Sequence, residues 1–284
     1  MSPFLFYGQK REDGKSYCFA QTNILRHNSN FYQYFHIDSF VTTFLKLMKN
    51  GVYCKTKKRK VGMYLYGSTI TATRYPKFIH QGKEYVLPRP YETSKPTKNC
   101  DTVFSKNHIL RNLILEIEKI VVHFLQFHCK DSKMAKMCLF HIARSHKKIP
   151  TNLRLCDTFF THCTVIGTFE EVDGEIPPHF DEKDLISVVF HCGHVQDGGE
   201  TIYYDGVSKK NIGNPVYSVP FEHGRIQIGF YQNVIHSVKK WKGTRCLINF
   251  NLKTKVLEHF EKFGMQYYEK FMKGGYPSGT FVSF

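Results

Sequence analysis

Between residues 159 and 252 the chain breaks into short apolar runs separated by turn residues: 159–169, 185–190, 201–204, 216–219, 225–230, 235–238 and 245–252. Short strands at this regular spacing predict an antiparallel barrel or a double-sheet roll. Helical periodicity lies on both sides of this block. Ile109, Leu113, Ile117, Ile120, Val121, Phe124 and Leu125 recur on one helical face, with Ser105 as a cap, and a second helix is expected over 132–145, before Pro150. After the block, Val256, Phe260, Phe263, Tyr267 and Phe271 share a face that Gly274-Gly275 would end. Helices flanking a β-rich centre give an α+β class.

The first hundred residues are less regular. Asp38 can cap a helix through Lys49, residues 55–60 are a basic run, and a strand is expected over 61–66. Pro76, Pro88, Pro90 and Pro96 then punctuate a loop-rich stretch. The predicted division is therefore a mixed α/β extension over 1–104 and the β-rich domain with its supporting helices over 105–284.

The chain has 284 residues, enough to bury a core without disulfides, and its 42% hydrophobic and 23% charged content excludes general disorder. No apolar run approaches the roughly 20 residues of a membrane span, and the start lacks a secretory leader. A soluble intracellular protein, cytoplasmic or nuclear, is the expectation. Forty Lys and Arg against 24 Asp and Glu leave a net charge of +16. That excess favours polyanionic partners such as DNA or RNA, although lysine-rich usage can also reflect genome composition. The nine cysteines contain no Cys-x-x-Cys pair, and the His and Cys residues of 123–146 match no zinc-finger spacing, so they read as core and surface residues.

One cluster carries chemistry. In Pro177-Pro178-His179-Phe180-Asp181, an extended backbone points His179 and Asp181 to one face and Phe180 to the other. An imidazole and a carboxylate so placed can occupy adjacent positions on one metal, with His236 as a third ligand from a later strand edge. Two histidines and a carboxylate suit Fe(II) and leave positions open, where zinc favours closure or a single water. A second His-x-Asp, His36-Ile37-Asp38, reads as structural because Asp38 serves as the helix cap. Gly243 allows a tight turn, after which Arg245 would open a new strand beside the one ending at His236. A guanidinium on the inward face of a barrel demands an anion. A dicarboxylate chelating the metal at one end and pairing with Arg245 at the other would satisfy it; an internal Asp or Glu is the alternative.

His179-x-Asp181, the turn Gly198-Gly199-Glu200-Thr201, His236-Ser-Val and Gly243-x-Arg245, in that order, resemble the Fe(II)/2-oxoglutarate-dependent dioxygenases over residues 155–255. The resemblance implies a double-stranded β-helix (jelly-roll) core, iron on His179, Asp181 and His236, and 2-oxoglutarate with its far carboxylate on Arg245. It also implies O2 as oxidant, with succinate and carbon dioxide released as a C–H bond is hydroxylated or oxidatively demethylated. The retained Asp181 speaks against halogenation. Thr201, Ser237 and Asn249 could add hydrogen bonds to the cosubstrate but read as structural, and Tyr203, Tyr204, Tyr231 and Phe180 are expected near the site.

For the substrate, Gly-Gly-Glu-Thr resembles the prolyl-hydroxylase branch, which usually carries Lys where Arg245 stands. Nucleic-acid oxygenases usually carry Arg, as do many acting on small molecules. Net charge and the basic run favour a nucleic-acid base, flipped out and stacked on aromatic rings. The alternatives are a protein side-chain hydroxylase, a silent oxygenase-fold nucleic-acid-binding module, and a cupin-like protein using another metal without 2-oxoglutarate.

Overall fold

The computed structural model describes residues 5–10, 16–23, 42–43, 46, 54–55, 62–69, 77–86, 89–93, 108–127, 129, 132–150, 160–168 and 174–273. The His36–Asp38 pair, the cap at Ser105, residues 56–60, Gly274-Gly275 and most of the helix expected from Asp38 lie outside them, although residues 42, 43 and 46 are helical.

The strands in order are β1 (Leu5–Lys10), β2 (Ser16–Asn23), β3 (Cys54–Lys55), β4 (Gly62–Thr69), β5 (Lys77–His80), β6 (Lys83–Val86) and β7 (Arg89–Thr93). They continue with β8 (His162–Gly167), β9 (Gly174–His179), β10 (Asp184–Gly198), β11 (Thr201–Tyr204), β12 (Pro215–Val219), β13 (Arg225–Gly229) and β14 (Ile235–Lys253). The helices are α1 (His108–Phe127), α2 (Lys133–Lys148) and α3 (Thr254–Lys273). The described chain is thus a mixed α/β structure with a large antiparallel sheet and three helices.

β14 organises the sheet by changing partners along its length. Residues 235–238 pair with β11, which pairs with β12, and β9 lies on the other side. From Trp241 onward β14 pairs with β10, which pairs with β13, while residues 246–251 also pair with β8. This corrects the expected turn at Gly243: the runs 235–238 and 245–252 form one strand. Gly243 sits at φ 111° where the strand bends, and a Cβ there would meet the His194 carbonyl oxygen at 2.5 Å. Glycine lets the backbone bend without losing its ladder, and the register slips opposite it, between Val195 and Asp197.

β10 is apolar on both faces because both are covered. Ile186, Val188, Phe190 and Cys192 join Ile226, Ile228, Cys246, Ile248, Phe250 and Leu252 in the core beneath α1 and α2. The helices meet that core through Ile114, Ile117, Val121, Phe124, Met134 and Cys138, at helical spacing. Ser132 caps α2, its Oγ accepting from the Ala135 N–H at 3.3 Å, and His146, Lys147 and Lys148 complement the dipole of its last turn. Cys129 and Cys138 are buried in this core, which pushes both thiols up to about 12. Val189, His191, Leu247 and Asn249 alternate with the core residues and line a cavity on the opposite side of the sheet.

Strands from the first hundred residues close both edges of this layer. β2 pairs with the outer side of β13 and is itself covered by β1, while β4 pairs with β8. Covering an edge removes the row of unpaired backbone groups that invites foreign strands. Within the stretch expected to be loop-rich, β5 and β6 form a hairpin turning at Gln81-Gly82, both at positive φ, and β7 pairs with β4. The C-terminal helix is interrupted at Gly264 (φ 74°, ψ 166°), where glycine adopts a conformation that ordinary residues avoid. No helix among the described residues is long and apolar enough to cross a membrane.

Candidate metal centre

β9 and the first half of β14 lie side by side with His179 opposite His236, which brings together two imidazoles 57 positions apart in the chain. Their ring centroids are 4.3 Å apart. Asp181 follows β9 in extended chain, as the two-residue spacing requires, and its backbone N–H donates to the Tyr231 carbonyl at 3.1 Å. The carboxylate lies between the rings: His179 Nε2 is 3.6 Å from Oδ1 and His236 Nε2 is 3.8 Å from Oδ2. One ligand atom from each of the three residues falls within 4.8 Å of the others.

Local backbone geometry sets the tautomers. His179 Nδ1 lies 2.8 Å from the Pro177 carbonyl oxygen and His236 Nδ1 lies 3.2 Å from that of Val234. A carbonyl only accepts, so each Nδ1 carries a proton, and in the neutral imidazole the Nε2 lone pair is the one left facing Asp181. Two Nε2 atoms and a carboxylate, oriented before any ion arrives, fit a 2-His-1-carboxylate metal site. Tyr231 supports two of the three: its carbonyl holds Asp181 and its ring lies 5.0 Å from the His236 ring. Gly229 makes room for that ring, since a Cβ there would stand 2.8 Å from Tyr231 Cζ. The Tyr203 and Tyr231 hydroxyls are 3.4 Å apart, and burial raises both phenols.

The triad opens onto a cavity of about 310 Å³. That volume suits a small organic molecule. Its polar lining falls into two groups. His191 Nε2 lies 2.9 Å from Gln227 Oε1, with Asn249 and Thr201 also on the wall. At the Asp181 side, Lys253 pairs with Asp184, whose carboxyl is raised to about 6 by burial despite the ammonium in contact with it. Burial keeps the cavity histidines His162 and His191 neutral, helped by Lys253 for the first and Arg245 for the second.

Arg245, on β14, does not line the cavity. It is 1% exposed and lies behind His191, with its guanidinium carbon 5.0 Å from the Trp241 ring and 5.5 Å from that of Phe221. Burial lowers it to about 9, so it remains a cation at neutral pH. Among the described residues no carboxylate pairs with it, and its Nε and Nη2 have no hydrogen-bond partner. His191 Nδ1, Gln227 Nε2 and Asn249 Oδ1 are buried and unpartnered in the same way. The Gln227 Nε2 donor and the His191 Nδ1 and Asn249 Oδ1 acceptors, unmet beside a cavity with a cation behind them, fit a polar ligand.

Of the residues singled out in sequence, Thr201, Asn249, Tyr203 and Tyr231 line the cavity, whereas Ser237 is bonded to Tyr204 at 2.9 Å and Phe180 points into a neighbouring groove. His191 and Gln227 were not anticipated. Each is a polar residue within an otherwise apolar strand, Val189-Phe190-His191-Cys192 and Ile226-Gln227-Ile228, and that interruption is the signal that could have found them.

No family model and no curated protein matches the chain. Solved structures do. NgTET1 in complex with 5mC DNA is 14% identical, with 86% of this chain and 74% of that one covered and a TM-score of 0.47. An oxidoreductase of the 2OG-Fe(II) oxygenase family from Burkholderia pseudomallei is 13% identical, at 74% and 75% coverage and a TM-score of 0.35. A Pseudomonas putida prolyl-4-hydroxylase is 12% identical, at 83% and 92% coverage and a TM-score of 0.34.

Proposed function

We propose that the protein is an Fe(II)- and 2-oxoglutarate-dependent dioxygenase with a double-stranded β-helix core, oxidising a C–H bond of a nucleic-acid base. The observation that carries this reading is the convergence of His179 Nε2, His236 Nε2 and Asp181 on the wall of the cavity, with each Nδ1 held by a backbone carbonyl. The strand pairing supports the proposed core. One layer runs β8-β14-β10-β13 and the other β9-β14-β11-β12, with β14 shared at its bend.

His179, Asp181 and His236 would hold iron, which when loaded with 2-oxoglutarate and O2 supplies the oxidising chemistry that no side chain possesses. The chain's own residues do the rest. Pro177 and Val234 carbonyls orient the imidazoles, and Tyr231 holds Asp181 in place. His191, Gln227 and Asn249 would meet the cosubstrate's polar groups, and the Arg245 cation behind His191 would balance its far carboxylate. Val189, Leu247, Ile176 and Val238 give the cavity apolar walls that keep water out. The lean towards a nucleic-acid substrate rests on the +16 charge.

The test is an anaerobic Fe(II) titration with and without 2-oxoglutarate, followed by succinate release with DNA, RNA and peptide pools. A visible metal-to-ligand band needing both additions is the expected result. Bound iron with no band on adding 2-oxoglutarate would overturn the assignment and leave a metal-bearing barrel of another kind.

A further inference from the structure

A second groove lies on the far side of the segment that bears Asp181. Phe180, Lys209, Lys210, Gln232 and Asn233 line it, together with the Glu182 carboxylate. Phe180 stands between the two ligand residues in the chain and, by the alternation of extended backbone, turns away from the metal cavity and into this groove. The groove is therefore one residue from the metal end.

Its other wall is the tip of the loop joining β11 to β12, residues 205–214, and that loop is held rigidly. Asp205 Oδ1 accepts from the Asn214 N–H at 2.6 Å, and the Gly206 N–H donates to the Ile212 carbonyl at 2.9 Å. The Asn211 N–H donates to both the Ser208 carbonyl and Ser208 Oγ, at 3.0 and 3.1 Å. Gly213 sits at φ 73°, and a Cβ on it or on Gly206 would run into the opposite limb of the loop. Lys209 Nζ lies 2.7 Å from Glu182 Oε1, which ties the tip to the turn after Asp181. Lys210 is exposed and has no ion pair among the described residues. Lys183, on that same turn, is exposed and faces the metal cavity.

We infer that this groove holds the sugar–phosphate strand of a single-stranded or locally opened nucleic acid while the reactive base enters the metal cavity. The inference rests on the nucleic-acid reading of the proposed function and gives it a location. Lysines on a preorganised tip suit phosphate oxygens, a half-buried aromatic ring offers a platform for a neighbouring base, and the amides of Gln232 and Asn233 add donors and acceptors. An acidic peptide would use the lysines but has no planar base to lay on Phe180.

The experiment measures anisotropy of a labelled single-stranded oligonucleotide about 12 nucleotides long, titrated with the full chain at several salt concentrations. Three variants are compared with the parent: K209Q/K210Q, F180L, and K239Q/K242Q, which removes equal charge from exposed positions of β14 outside the groove. Thermal melting and Fe(II) affinity check that each variant is folded with its metal end intact. For K209Q/K210Q the expected result is a salt dependence of log K shallower by about 1.4, from two phosphate contacts at about 0.7 each on a single strand. F180L should bind at least about fivefold more weakly, the low end of the loss of one stacked base. K239Q/K242Q should stay close to the parent.

If the parent binds the oligonucleotide but the groove variants do not differ from it, or if K239Q/K242Q loses as much, the groove assignment is overturned while the nucleic-acid reading survives. If the parent binds no oligonucleotide, both fail. Capture of a polyglutamate peptide that depends on Lys209 and Lys210 but not on Phe180 would likewise overturn both and assign the groove to acidic peptides.

Discussion

Arg245 provides the sharpest separation between a functional and a purely structural account. It is 1% exposed, and burial takes its guanidinium from 12.5 to about 9. At about 1.4 kcal/mol per pH unit that fall corresponds to roughly 5 kcal/mol of desolvation for the charged form. The two ring faces return about 1 kcal/mol each as cation–π contacts, and Nε and Nη2 recover nothing from hydrogen bonds. Replacing Arg245 with methionine, close in length and without charge, is therefore expected to stabilise the ligand-free protein by about 1–4 kcal/mol. The cation persists below about pH 9, so the gain should be constant from neutral pH down and fade only as pH climbs through 9 towards 12.5. Adding 2-oxoglutarate with Fe(II) under anaerobic conditions should invert the order. At about 100 times its Kd a ligand adds about 2.7 kcal/mol to the parent, and the variant should gain much less. Urea unfolding of both proteins, with and without ligand, reads all four stabilities. A variant that is less stable than the parent by 2 kcal/mol or more without ligand, and equally stabilised by 2-oxoglutarate, would refute the reasoning.

Three further outcomes follow from the same geometry. H179A and H236A should each weaken Fe(II) binding by tenfold or more, since each removes one of three donors; unchanged titrations in both would sink the triad. G229A should cost about 1–3 kcal/mol by overpacking against the Tyr231 ring and should also loosen Fe(II), because that ring rests on His236 and its backbone holds Asp181; denaturation and iron titration check the two effects separately. Acid should destabilise the fold from about pH 6.5 downward. Burial lowers His259 to about 4 and holds His162 and His191 well below 6.5; these three outweigh Asp184, raised to about 6 with the opposite effect, so the unfolded chain binds more protons than the native state across that window. Urea midpoints that stay flat or rise between pH 6.5 and 4.5 would contradict this.

Much of the element inventory was legible because it rests on local rules. Thr201–Tyr204 forms β11 where a short apolar run between turn residues places it, and the apolar stripe from Ile109 to Leu125 becomes α1. Ser132 caps α2 because a hydroxyl beside the first free N–H groups needs no tertiary partner. The rule failed at Gly243, where a glycine between two apolar runs reads as a turn. Pairing of the second run with β10 and β8 keeps the backbone extended through it, and glycine serves the bend instead. The same failure occurs among the prolines of the first hundred residues, where a hairpin and an edge strand replace the expected loops.

The candidate site divides along the same line. That His179 and Asp181 can face one metal follows from the two-residue period of extended chain, and no partner is needed to know it. Which third residue joins them, and with which nitrogen, depends on the β9–β14 register and on two carbonyls whose positions no local pattern encodes. Arg245 was recognisable as a buried cation in search of an anion. That it stands behind His191 and Gln227 rather than on the cavity wall was decided by where β10, β13 and β14 stack. Periodicity tells a side chain which face of its own strand it occupies; only the packing of strands distant in sequence decides what that face meets.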